Sequence, residues 1–142
     1  MISTVAVGTD GSATATEAVK MASELARRFG ASLVLVSASQ SSDQAPMDRR
    51  TASPEVQWAF SPLARLQEML TRIQEELQRD GIDCSIRVEE GDPAEVLVRL
   101  ATECDADILV IGNKGMQRRV LGSVPNTVTH KAPCSVFVVK TT

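Results

Sequence analysis

The feature that most constrains this chain is a strict alternation of two patterns. Short apolar runs recur at Ile2–Gly8, Ser32–Ala38, Ile82–Val88, Asp107–Gly112 and Ser135–Val139, each of strand length. Segments with helical spacing separate them. Ala15, Ala18, Val19, Ala22, Leu25, Ala26 and Phe29 recur at three- and four-residue steps. Thr14 with Glu17 offers a capping box, and Gly30 stands where a helix C-cap belongs. Leu63, Leu66, Leu70, Ile73 and Leu77 mark a second amphipathic helix, stopped by Gly81. Asp92-Pro93-Ala94-Glu95 starts a third, with Leu97, Leu100, Ala101 and Cys104 on its buried face. Ser123 can cap a fourth, short helix running to about Lys131.

Such alternation implies an α/β fold, a doubly wound parallel sheet with helices on both faces. Five strands suit the Rossmann-like order 3-2-1-4-5. The 142 residues fit one domain, 1–142, carrying one long turn-rich loop at about 39–61. Ile82, Cys84, Ile86 and Val88 alternate with Asp83, Ser85 and Arg87, as an edge strand should. Asp107–Gly112 is continuously apolar, as at a sheet centre. The fifth strand, at the other edge, is apolar on both faces. Either it pairs with its twofold mate through Val136–Val139 to form a homodimer, or Lys140 and the tail protect a lone edge.

Composition removes several functions. Aromatic residues are 3% of the chain, too few for a base-stacking nucleic-acid surface. Fifteen basic against eighteen acidic residues give a net charge of -3, which fits neither a nucleic-acid nor an anionic-membrane partner. No apolar run approaches the ~20 residues of a membrane span. The start MISTVAVGTDGS lacks the pattern of a signal peptide. Cys84, Cys104 and Cys134 are an odd set without metal-ligand spacing. They read as reduced thiols of a cytoplasmic protein.

In open α/β sheets, ligands sit beyond the carboxyl ends of the strands, where the strand order reverses. Here that point lies between the first and fourth strands. The loops there are Gly8-Thr9-Asp10-Gly11-Ser12 and Gly112-Asn113-Lys114-Gly115. Gly112 and Gly115 allow close backbone approach, and Gly122-Ser123 opens a helix whose free N–H groups favour an anion such as phosphate. Lys114, Arg118 and Arg119 add positive charge, and Asp10 can accept hydrogen bonds from a ribose or a base. Singly, each element has an ordinary structural explanation: a turn, a cap, a solvated face. Their joint placement describes a nucleotide pocket.

With those residues in view, the sequence resembles the universal stress protein family over its whole length. The resemblance is carried by VGTDGS, ADILVIGNKG, GSVPNTV and APCSVFVVK. The family's nucleotide motif is G-x2-G-x9-G-[S/T]. Gly112, Gly115, Gly122 and Ser123 match its fixed positions, but only six residues separate Gly115 from Gly122. The resemblance implies an adenine nucleotide, whether ATP with Mg, AMP or cyclic AMP. It implies that Asp10 contacts ribose or adenine, with Gly8 and Thr9 as adenine-side backbone. Ala38 would meet the base, Ile111 and Gly112 the ribose. Gly115, Gly122, Ser123 and Val124 would cradle phosphate. Pro125 falls at the next contact position without an N–H or hydroxyl donor. The shortened loop bears on the triphosphate more than on the adenosine half. The resemblance also implies a stress-response sensor or buffer of nucleotide, acting on unknown protein partners, and a dimer through the fifth strand.

Other residues point less to chemistry. His130 falls near a helix C-terminus with no partner acid. The cysteines suit core positions. Glu89 and Glu90 suit a solvated turn, with a cation site as the alternative. Trp58 and Phe60 suit either a lid or packing on the second helix. No dedicated general base or Walker-type lysine pattern is evident, so any ATP hydrolysis should be slow. The alternatives are a same-fold interaction module without nucleotide, and a flavodoxin-like signalling domain. A receiver would need an aspartate where Glu89 and Glu90 stand. A flavodoxin would need aromatic walls beside hydroxyls such as Thr9, Ser12 and Thr14.

Overall fold

The computed structural model describes residues 1–39, 61–113 and 123–140. In chain order the elements are β1 (Thr4–Gly8), α1 (Ala13–Phe29), β2 (Ser32–Ser39), α2 (Pro62–Arg79), β3 (Cys84–Glu90), α3 (Pro93–Glu103), β4 (Ile108–Gly112), α4 (Ser123–Lys131) and β5 (Ser135–Val139). The five strands form one sheet in the order β3-β2-β1-β4-β5, and all pairings are parallel. The expected doubly wound architecture is the observed one. Its central strand is β1, where Val5 stands between Leu33 on β2 and Ile108 on β4.

Side chains alternate between the faces with the period of an extended strand. Val5 and Val7 of β1, Leu33 and Leu35 of β2, and Val110 of β4 pack against α1 and α2. Ala6, Val34, Val36, Leu109 and Ile111 pack against α3 and α4. The central strands are therefore buried on both faces, and an aliphatic core suffices to bury them. Helix α1 can lie close because its inner face is nearly all alanine: Ala18, Ala22 and Ala26, with Val19.

The helix ends follow local chemistry, with corrections to the sequence reading. Helix α1 starts at Ala13, and its cap is Ser12, whose hydroxyl accepts the Ala15 N–H at 3.2 Å. Thr14 lies inside the first turn, so the Thr14–Glu17 capping box is not the one used. Gly30 closes the helix in the left-handed conformation, φ 64°. Phe29, placed by its spacing on the buried face, is 50% exposed. It is the last residue of the helix and has no following turn to cover it. Helix α3 starts as expected: Asp92 accepts the Glu95 N–H at 3.2 Å, and Pro93 opens the helix. The 40–60 part of the long loop, with Trp58 and Phe60, lies outside the described residues.

Asp107 ties the start of the chain to the sheet. Its carboxylate accepts the N–H groups of Ser3 at 2.7 Å and Thr4 at 3.0 Å. These bonds favour the charged form and hold its pKa below the ordinary 3.8. A depressed acid stabilises the fold above its unfolded value and loses that contribution as pH falls through the folded value. Asp107→Asn should therefore lower the thermal midpoint near neutral pH. The gap from the unsubstituted protein should close as pH drops below the ordinary aspartate range. Melting curves across acidic pH check this, and a gap that widens toward acid would contradict it.

Candidate functional site

A cavity of about 380 Å³ opens at the carboxyl end of the sheet, where the strand order reverses between β1 and β4. That volume is within the roughly 300–1,000 Å³ of small-molecule pockets. Its walls come from the β1–α1 turn (Gly8, Thr9, Asp10, Ser12), the end of β2 (Val36, Ser37, Ala38), the start of α3 (Pro93, Leu97), the end of β4 (Ile111, Gly112) and the start of α4 (Ser123, Val124, Pro125). Parallel topology explains this gathering. Every strand delivers its carboxyl end to the same side, and every following helix begins there.

The structure brings together Gly8, Thr9, Asp10, Gly112 and Ser123, which the loop pattern placed in one site, with Ala38, Ile111 and Val124, which the family resemblance added. Gly115 and Gly122 lie outside the described residues, as do Lys114, Arg118 and Arg119. The sequence reading missed the apolar floor formed by Val36, Pro93 and Leu97. Pro93 and Leu97 are four residues apart and share a helix face, but that spacing looks identical to core packing. A signal was available in topology, since the first turn of α3 must emerge beside the switch point. Gly8 depends on this floor: a Cβ there would stand 2.8 Å from Leu97 Cδ2.

The β1–α1 turn is held by its own polar groups. The Thr9 N–H donates to Val36 O at 2.9 Å. The Gly11 N–H donates to Thr9 Oγ1 at 3.2 Å, and the Ser12 N–H to Asp10 Oδ1 at 2.9 Å. These bonds orient Asp10 at the pocket rim. It is the only charged side chain among the described lining residues. On the same cavity, α4 opens with Ser123 and Val124, whose N–H groups carry the positive end of the helix dipole. Pro125, third in the helix, contributes no N–H there. The arrangement offers an apolar slot, one carboxylate and one helix terminus. An adenine ring, a ribose and a phosphate need those three surfaces.

Residues outside the pocket behave simply. Glu89 and Glu90 end β3 and are not a turn. Glu89 pairs with Arg99 and lies 3.9 Å from Arg87, which also reaches Glu103 at 2.9 Å. Those arginines occupy the carboxylate that the cation alternative required. Among the described residues no cluster suited to a metal ion occurs, and no helix is long and apolar enough to cross a membrane. His130 is exposed in the last turn of α4. Burial, helped by the neighbouring Asp83 charge, pushes the Cys84 thiol up to about 11. Burial also raises Cys104 and Cys134. A rise from 9.0 to about 11 leaves about a hundredfold less thiolate at neutral pH. Cys84 should therefore resist thiol reagents in the native protein and react once the chain is unfolded. Mass-mapped labelling tests this, and prompt native labelling of Cys84 would contradict it.

Comparison with known proteins agrees with the fold and the whole-chain resemblance. The universal stress protein family model matches residues 1–140. A universal stress protein of Mycobacterium tuberculosis is 37% identical over 148 aligned residues, covering 98% of this chain and 97% of the relative. A universal stress protein solved in complex with cAMP is 30% identical with a TM-score of 0.67, covering 99% of this chain and 98% of that one. UspA from Lactobacillus plantarum, at 22% identity and a TM-score of 0.77 over 97% of both chains, shares the fold. With its order of strands, its switch-point cavity and this match across residues 1–140, the chain belongs to the universal stress protein family.

Proposed function

We propose that this protein binds an adenine nucleotide in the β1/β4 cavity and acts in the cytoplasm as a stress-response sensor or buffer of that nucleotide. One observation carries the reading. Eight residues that the sequence pattern and the family resemblance together assign to a nucleotide site line one cavity, at the switch point where this fold forms a crevice. The base lies on Val36, Pro93 and Leu97 beside Ala38, the ribose meets Asp10, and phosphate meets the start of α4 at Ser123 and Val124. The relative at 30% identity binds cAMP.

The phosphate end favours few negative charges. Pro125 removes one of the N–H groups that a helix terminus usually offers, and the segment from Gly115 to Gly122 is short. AMP or cyclic AMP therefore fits better than ATP with Mg. The role is binding rather than turnover, because among the described lining residues only Asp10 ionises. Among the described lining residues none but Asp10 is charged, so any hydrolysis of ATP should be slow.

We also assign a homodimer through β5. This strand is the sheet edge beside β4, and Phe137 on it is 38% exposed. An apolar edge with unpaired backbone groups is satisfied by a second copy.

Calorimetry against ATP with and without Mg, AMP and cyclic AMP tests the nucleotide reading, together with mass spectrometry of nucleotide released from the purified protein. Binding should be tightest for the monophosphates. Failure of all three would favour the same fold acting as a protein-interaction module. Gly8→Val should weaken binding at least about tenfold, because its side chain drives Leu97 into the base slot. Unchanged affinity in that variant would place the ligand elsewhere.

A further inference from the structure

We propose that Met69, on α2, positions the β1–α1 turn and so sets the affinity of the pocket from behind its wall. The proposal rests on the nucleotide reading above. Gly11 stands between Asp10 and Ser12, which both line the cavity, yet neither Gly11 nor Met69 lines it. Gly11 has φ +82°, a left-handed conformation that glycine adopts without strain. Its missing side chain is what admits Met69. A Cβ at Gly11 would fall on Met69 Sδ and lie 2.8 Å from its Cε.

The turn is therefore held from two directions. On its own side, Thr9 Oγ1 and Asp10 Oδ1 accept the N–H groups of Gly11 and Ser12. From the other side, the Met69 thioether rests on the Gly11 backbone. Those internal bonds fix the shape of the turn, and the Thr9 N–H bond to Val36 O anchors its start to β2. The Met69 contact adds a restraint at Gly11 from the α2 side. Helix α2 otherwise serves the sheet, burying Leu70 and packing Ile73 and Leu77 over the same core as β2 and β3. Met69 is thus the point at which α2 reaches the ligand-binding turn. A shift of α2 moves Asp10 and Ser12 without touching the ligand. The unbranched thioether suits this role, since it follows the contour of a bare backbone better than a branched side chain does.

The test uses the full-length protein labelled with nitrogen-15 and compares Met69→Ala with Ile73→Ala. Ile73 packs on the same core about one helical turn further along α2. Without ligand, Met69→Ala should move the amide resonances of Asp10, Gly11 and Ser12, whereas Ile73→Ala should lower the thermal midpoint and leave them in place. With cyclic AMP as the probe, Met69→Ala should weaken binding about fivefold. Met69→Leu, which restores the bulk, should bring affinity back toward the original. Amides at 10–12 unmoved by Met69→Ala, or moved as far by Ile73→Ala, would overturn the proposal. If cyclic AMP binds neither the unsubstituted protein nor the variants, that probe result counts against the nucleotide reading. The ligand-free amide shifts then decide the Met69 proposal alone.

Discussion

Burial of both faces of the central strands is the constraint from which the rest of the structure follows. Val5, Val7, Val34, Leu35, Leu109 and Val110 leave no face of β1, β2 or β4 fit for water. A parallel sheet of this kind needs helices on each side, and right-handed crossovers fix where each helix goes. Winding outward from β1 in both directions leaves adjacent strands whose following helices depart to opposite faces. Between β1 and β4 that divergence opens a gap floored by core side chains, Val36, Leu97 and Ile111. The cavity is thus a consequence of how the sheet is covered, and its existence does not depend on the identity of the loop residues. Those residues decide what the cavity can hold.

The elements were legible because their signals are periodic and redundant. A strand such as Ser135–Val139 or a helix start such as Asp92-Pro93 is specified by several residues at once. Single-residue signals fared worse. Thr14 and Ser12 both satisfy the composition of a cap, and the choice fell to Ser12 because its backbone is extended, with ψ 165°. Leu97 was read as core because a pocket floor and a core ask for the same apolar side chain. Glu89 was read as solvated turn because its partner Arg99 lies on the next helix, and only the packing of α3 against β3 brings the two together. Ion pairs so exposed add little stability, so no strong energetic signal marked them in advance.

The chemistry of the pocket divides along its length. The end lined by Val36, Pro93 and Leu97 is apolar, and on the nucleotide proposal it would select a base by shape and by backbone groups at the end of β2. The other end carries one carboxylate and a helix terminus with a proline at its third position. Asp10 repels phosphate, while the α4 N–H groups attract it. A ligand gains most when its anion reaches α4 and its hydroxyls face Asp10. On the nucleotide proposal, this separation of charges would orient the ligand, and among the described lining residues Asp10 is the one charged group beside it.

That orientation depends on a turn whose backbone is only partly fixed by its own hydrogen bonds. Serine, threonine and aspartate bond readily to nearby backbone, which makes a turn such as Thr9–Ser12 self-consistent in isolation. Self-consistency fixes its internal shape, and the Thr9 N–H bond to Val36 O ties its first residue to β2. A glycine at 11 meets the need for a left-handed residue and also leaves a bare backbone surface on the side away from the ligand. The side chain that fills that surface, Met69, comes from α2. On the nucleotide and Met69 proposals, affinity at the switch point is a property of both faces of the sheet. The core helices on one side form the floor, and α2 on the other supports the rim.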